Sequence, residues 1–108
     1  MNIAKTPDPP YFAVIFTSLR TENGEGYEET ALLMETLAVQ QAGYLGHESA
    51  RDGLGITVSY WESLEAIRHW KRQTDHLFAQ QNGRKKWYEV YQVRICKVER
   101  QYGFEKTN

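Results

Sequence analysis

The chain has 108 residues, 41% of them hydrophobic, 25% charged and 13% aromatic, and a formal net charge of -1 at pH 7. A length near the modal domain size and an even composition predict one globular domain, with bulky rings filling much of its core. Interspersed charges of both signs create no field for a polyanion, which argues against nucleic acid as a partner, and no run approaches the roughly 20 apolar residues of a membrane span, so no membrane partner is expected.

Residues 1–10 contain Pro7, Pro9 and Pro10 and lack the continuous apolar stretch of a signal peptide, so they read as an extended lead-in. From Tyr11 the run Tyr-Phe-Ala-Val-Ile-Phe is apolar at consecutive positions and too short for a helix, which predicts a strand buried on both faces. After the break at Asn23, Gly24 and Gly26, the residues Tyr27, Thr30, Ala31, Met34, Leu37 and Ala38 recur every three or four positions. That spacing predicts an amphipathic helix, ending at Gly43 as a left-handed cap. Residues 44–50 and 55–61 flank Arg51-Asp52-Gly53-Leu54, a tight reversal, and form a hairpin. Ser63 stands as the N-cap of a second helix, with Glu65 near the positive end of its dipole. Leu64, Ile67, Trp70, Thr74, Leu77 and Phe78 line one side of that helix until Asn82 and Gly83. Residues 84–87 form a further turn, residues 88–102 a long final strand, and residues 103–108 a mobile tail.

The resulting order, βαββαβ, predicts an α+β, ferredoxin-like domain: a four-stranded antiparallel sheet with two helices on one face. The bare face would then ordinarily be polar at every second position. The first strand is apolar throughout, and the last carries Val90, Cys96 and Val98 on one parity against Tyr91, Val93 and Ile95 on the other. The simplest cover is a second copy packed sheet to sheet about a two-fold axis, hence a homodimer; a bulge in the last strand that swaps its faces is the alternative. In the third strand, Ile56, Val58 and Tyr60 belong with the helices, and Thr57, Ser59 and Trp61 share the other face, Trp61 at an interface or strand end. Cys96 has no partner for a disulfide and behaves as a small buried hydrophobe, which fits a reducing cytoplasm.

Two segments carry a family resemblance: Gly43-Tyr44-Leu45-Gly46 running on to Asp52, and Tyr60-Trp61-Glu62-Ser63 before the second helix, with Ala66-Ile67-Arg68-His69-Trp70-Lys71 after it. Over residues 11–102 the chain resembles the antibiotic biosynthesis monooxygenase domain family of the dimeric α+β barrel superfamily. The resemblance implies a pocket between sheet and helices in each subunit. It also implies a cofactor-independent oxygenation in which a small phenolic or quinol-like molecule, once deprotonated, reduces O2 directly, with no metal or flavin. Heme-degrading enzymes and non-catalytic ligand-binding modules share the superfamily. In the heme-degrading relatives an asparagine in strand one and a ligating histidine near Gln80 are expected. Residues 11–21 contain no asparagine, which disfavours heme.

Four residues stand out as candidates for chemistry. Trp70 matches the place of a pocket tryptophan in heme-degrading relatives, or it is a core ring of an apolar helix face. His76, beside Asp75, is a candidate general base or axial ligand, or a helix-surface imidazole. His47 and Arg51 share one strand face with Leu45 and Ser49; they bind and deprotonate a phenol if that face lines the pocket, and are a solvated stripe otherwise. His69 points away from Trp70. Arg84, Lys85 and Lys86 beside Trp87 and Tyr88 look like a stacking, basic patch, but three adjacent charges in a nearly neutral chain read better as a solvated turn. Gly24-Glu25-Gly26 lacks the offsets of a phosphate loop, and no metal-ligand spacing is present.

Overall fold

The computed structural model describes residues 2–107; Met1 and Asn108, the ends of the lead-in and tail, lie outside them. The elements are β1 (Tyr11–Arg20), α1 (Tyr27–Val39), β2 (Tyr44–Asp52), β3 (Leu54–Trp61), α2 (Leu64–Gln81), α3 (Gly83–Trp87) and β4 (Tyr88–Val98). They build one four-stranded sheet of order β2-β3-β1-β4 with every neighbouring pair antiparallel, the expected ferredoxin-like arrangement. No helix among the described residues is long and apolar enough to cross a membrane.

Local chemistry explains most boundaries. The Ser63 hydroxyl accepts a 3.0 Å hydrogen bond from the Ala66 amide, satisfying one orphan donor at the start of α2, and Asn82 ends that helix in the left-handed region at φ 52°. Helix α1 stops four residues before Gly43, because Gln41 folds its side-chain amide back onto the Leu37 carbonyl at 3.1 Å and caps the last turn. Gly43 does take a positive φ of 86°, but at the threshold of β2, where a Cβ would sit 2.8 Å from that of Ala66. The hairpin is tighter than expected: Asp52 pairs with Leu54 and Gly53 alone turns the chain. Strand β4 ends at Val98 and not at Tyr102, since Gln101 turns aside to bond Tyr11, Thr6 and the Pro7 carbonyl.

The two faces of the sheet are reversed relative to the hydrophobic pattern of β3. Register places Trp61, Ser59 and Thr57 on the helix side, in rows with Phe12, Val14 and Phe16 of β1, and sends Ile56, Val58 and Tyr60 outward. Trp61 is therefore no interface residue; it is fully buried, stacks on Trp70 of α2 at 5.8 Å, and donates its ring N–H to Ser59 at 2.9 Å. The polar alternate positions are inside because the helices stand over a cavity rather than pressing on a dry sheet.

The outer face holds Leu19, Leu54, Ile56 and Val90, all between 43% and 55% exposed, and Cys96 is likewise exposed there. Strand β1 is thus less buried than its composition suggests. A bulge at the start of β4 puts Tyr88 opposite Arg20 and Val90 opposite Leu19, but beyond it β4 still carries apolar residues on both faces. The lead-in covers the opposite end of the outer face: the Ala4 amide donates to Glu48 at 2.8 Å, and Tyr60 donates to the same carboxylate at 2.7 Å. Burial, and then that carboxylate, push the Tyr60 hydroxyl up to about 12. Helix α1 is less amphipathic than its spacing suggests, for Leu32, Leu33 and Val39 face outward.

Candidate functional site

Between the helices and the inner face of the sheet lies a cavity of about 550 Å³. Its floor is set by two rows that cross the sheet, His47–Ser59–Val14–Ile95 and Ser49–Thr57–Phe16–Val93, polar at β2 and apolar at β4. Helix α1 contributes Thr30, Met34 and Glu35, α2 contributes Ile67, Trp70 and Thr74, and rings of Tyr27, Phe78, Trp87, Tyr88 and Tyr91 complete the wall. Val93 and Ile95 are 41% and 52% exposed, so the cavity opens on the β4 side. An aromatic wall with a few convergent polar groups is what a flat organic ligand needs. A second hollow of about 580 Å³ at Asn2, Ile3, Glu48 and Ser49 is an open surface depression with no such convergence.

At the β2 end, the Tyr44 hydroxyl lies 2.5 Å from His47 Nδ1, and His47 Nε2 lies 3.6 Å from the Glu35 carboxylate of α1. Alternation would place residues 44 and 47 on opposite faces. A bulge at Leu45 prevents this: Tyr44 pairs with Trp61 and His47 with Ser59, so both face inward. The Trp61 ring meets Tyr44 edge-on at 5.6 Å and fixes its orientation. Burial, and after it the nearby Glu35 carboxylate, raise the Tyr44 hydroxyl above its ordinary range.

Across the cavity, Lys71 donates to Asp75 at 2.7 Å, Arg84 pairs with the other Asp75 oxygen, and Arg84 Nε donates to the Tyr91 hydroxyl at 2.7 Å. Asp75 is held below the usual carboxylate range, chiefly by the Lys71 hydrogen bond, with burial opposing and Arg84 assisting. Deeper in, burial and the neighbouring Tyr27 raise the Tyr88 hydroxyl, and the Arg20 guanidinium lies over the Tyr27 ring at 3.3 Å.

The four candidate residues separate. Trp70 and His47 line the cavity. Arg51 does not: it lies flat across Gly55, where any Cβ would meet it at 2.2 Å, and binds the Ser18 hydroxyl at 2.6 Å and the Gly53 carbonyl at 3.2 Å. It staples the hairpin to β1. His76 is exposed on α2 and outside the cavity, and its neighbour Asp75 is bound by Lys71 and Arg84. His69 is exposed beside Arg72. The basic turn is α3, but its Trp87 is fully buried and donates to the Glu25 carbonyl at 2.7 Å, and Tyr88 lines the cavity. No group of three or more metal-binding side chains occurs among the described residues. Sequence reasoning missed Tyr44, hidden by the bulge, Glu35, at the edge of the α1 inner stripe, and Arg84 with Tyr91, which meet only when α3 turns back over β4.

No family model matches the chain. Among curated proteins it is 56% identical over 109 residues to YqjZ, an uncharacterized protein of Bacillus subtilis (strain 168), covering 98% of this chain and 96% of that one. The chain belongs to the YqjZ family. The solved structures show that the chain shares the fold of antibiotic biosynthesis monooxygenases. SnoaB of Streptomyces nogalater, a cofactor-independent oxygenase, superposes with a TM-score of 0.69 at 11% identity, over 86% of this chain and 97% of that one. Proteins of Nitrosomonas europaea and Bordetella bronchiseptica, both named for antibiotic biosynthesis monooxygenases, superpose at 0.65 and 0.62 with 10% and 16% identity. They cover 87% and 89% of this chain, which spans 94% and 100% of theirs. The fold expected from the strand motifs is therefore the observed one.

Proposed function

We propose that this YqjZ-family chain is a monooxygenase that works without a bound cofactor on a small phenolic or quinol-like molecule, as a homodimer joined through its outer sheet faces. The carrying observation is the aromatic-walled cavity with the hydrogen-bonded imidazole of His47 at one end. Phe16, Trp70 and Tyr91 provide flat surfaces against which a ring packs, and the apolar row at β4 is the side open to a ligand and O2. Removing the phenolic proton makes the ring electron-rich enough to pass one electron to O2. Recombination at a ring carbon and loss of water leave one oxygen atom as a new carbonyl and the other in water. The substrate supplies all the electrons, so atoms and charge balance without a further reductant. His47 acts as the proton acceptor and Trp70 as the packing wall.

The heme alternative is disfavoured on α2, where His76 is exposed outside the cavity and residue 80 is an exposed glutamine. Oxygen uptake with a panel of phenols and hydroquinones is the direct test. Consumption above the buffer blank is expected, falling by roughly 10²-fold or more in His47→Ala, the usual worth of a positioned base. If no phenol beats the blank, the oxygenase reading fails; binding without uptake would favour a ligand-binding module. Hemin should give no Soret shift that depends on His76.

A further inference from the structure

We infer that Tyr44, His47 and Glu35 form a proton relay in which Tyr44 is the group that touches the substrate hydroxyl, a role that rests on the phenol-binding reading above. The geometry sets the direction. The half-buried Tyr44 hydroxyl points its O–H at His47 Nδ1, 2.5 Å away, because the Glu35 carboxylate, 3.6 Å from Nε2, draws the single N–H of the neutral imidazole to that nitrogen. With its hydrogen committed to His47, the Tyr44 oxygen offers its lone pairs to the cavity. A phenol meeting that oxygen loses its O–H proton to Tyr44 as Tyr44 passes its own proton to Nδ1. One O–H bond breaks and one forms at Tyr44, one N–H bond forms at His47, and no electron is transferred.

Glu35 is a positioning residue, since it acts only through the imidazolium that results. Its side chain is 58% exposed against 30% for His47, so the relay ends at water, where the proton leaves. The surroundings add no competing charge at close range. Strand β3 presents Ser59 and Trp61, β1 presents Val14, and β4 presents Ile95. From α2 and α3 the charged groups facing the cavity are Lys71, Asp75 and Arg84, with Asp75 bonded to both cations. The Leu45 bulge brings Tyr44 and His47 to one face, and Trp61 braces the tyrosine ring.

The test uses the whole chain and 4-nitrophenol, a phenol whose ionisation near neutrality is visible by absorbance, with binding followed separately by quenching of tryptophan fluorescence. Bound to the wild type, it is expected to ionise about one pH unit or more below the free compound, as an acceptor chain with a nearby carboxylate requires. Tyr44→Phe and His47→Gln should return it to the free value and, by linkage, weaken binding of the phenolate about tenfold or more relative to the phenol. Glu35→Gln should give an intermediate value and Glu35→Asp restore the shift, and because Glu35 is exposed these variants keep the test decisive if a change at Tyr44 disturbs folding. An unchanged ionisation in Tyr44→Phe, with binding intact, overturns the relay alone. Failure of the wild type to bind any phenol overturns the reading beneath it, and the relay with it.

Discussion

On the face beneath the helices the sheet carries His47, Ser49, Thr57 and Ser59, whereas its bare face carries Leu19, Leu54, Ile56 and Val90. A monomer packed on a dry core would have these the other way round. Hydroxyls tolerate the inner face because they border an open cavity and bond one another's neighbours, as Ser59 does with the Trp61 ring N–H. The apolar row Leu54–Leu19–Val90 has no such outlet, and only another apolar surface removes it from water. One face thus borders a cavity, and the other leaves an apolar row in water.

The largest effect that probes this contrast lies at the inner wall. Trp87 is fully buried beneath α1 and α2, and Trp87→Ala is expected to cost about 3–5 kcal/mol in denaturant unfolding. A loss under about 1 kcal/mol would mean that the wall is not structural. On the outer face, Leu19→Lys should convert the proposed dimer to a monomer in sedimentation, because each copy forfeits roughly 1.5–3 kcal/mol of burial and carries a charge into the proposed contact. A dimer that persists unchanged places the partner elsewhere.

The smallest effect concerns the cavity rim. Asp75 titrates below its ordinary value in the folded chain, so its pairing stabilises above the unfolded value near pH 4 and is lost as pH falls through the folded one. With Asp75 39% and Lys71 68% exposed, water screens the pair, and its worth is about 1 kcal/mol or less. The stability gap between wild type and Asp75→Asn should accordingly shrink toward zero on acidification. A gap independent of pH would show that Asp75 acts by packing instead.

Much of the fold was legible along the chain. The Ser63 cap, the Asn82 stop, the Gly53 reversal and the two-sided apolar character of β1 and β4 are local or periodic signals, and each has its expected place. The site was less legible. His47 and Trp70, conspicuous as imidazole and indole, do line the cavity, but the assignment of faces in β3 followed hydrophobicity, and hydrophobicity misleads when the covered side is a cavity. Arg51 and His76 were attractive by residue type alone. A neighbouring glycine let one lie down as a staple, and helix phase carried the other into solvent.

The sequence by itself determined the order of elements, the antiparallel sheet and the surplus of apolar surface, because spacing, caps and turns act over a few residues. Only the tertiary structure decided which face of the sheet looks at the helices and that Tyr44, His47 and Glu35 meet. Those outcomes depend on a single bulged residue, Leu45, and on the register between strands distant in sequence, where a shift of one position turns every side chain to the other face.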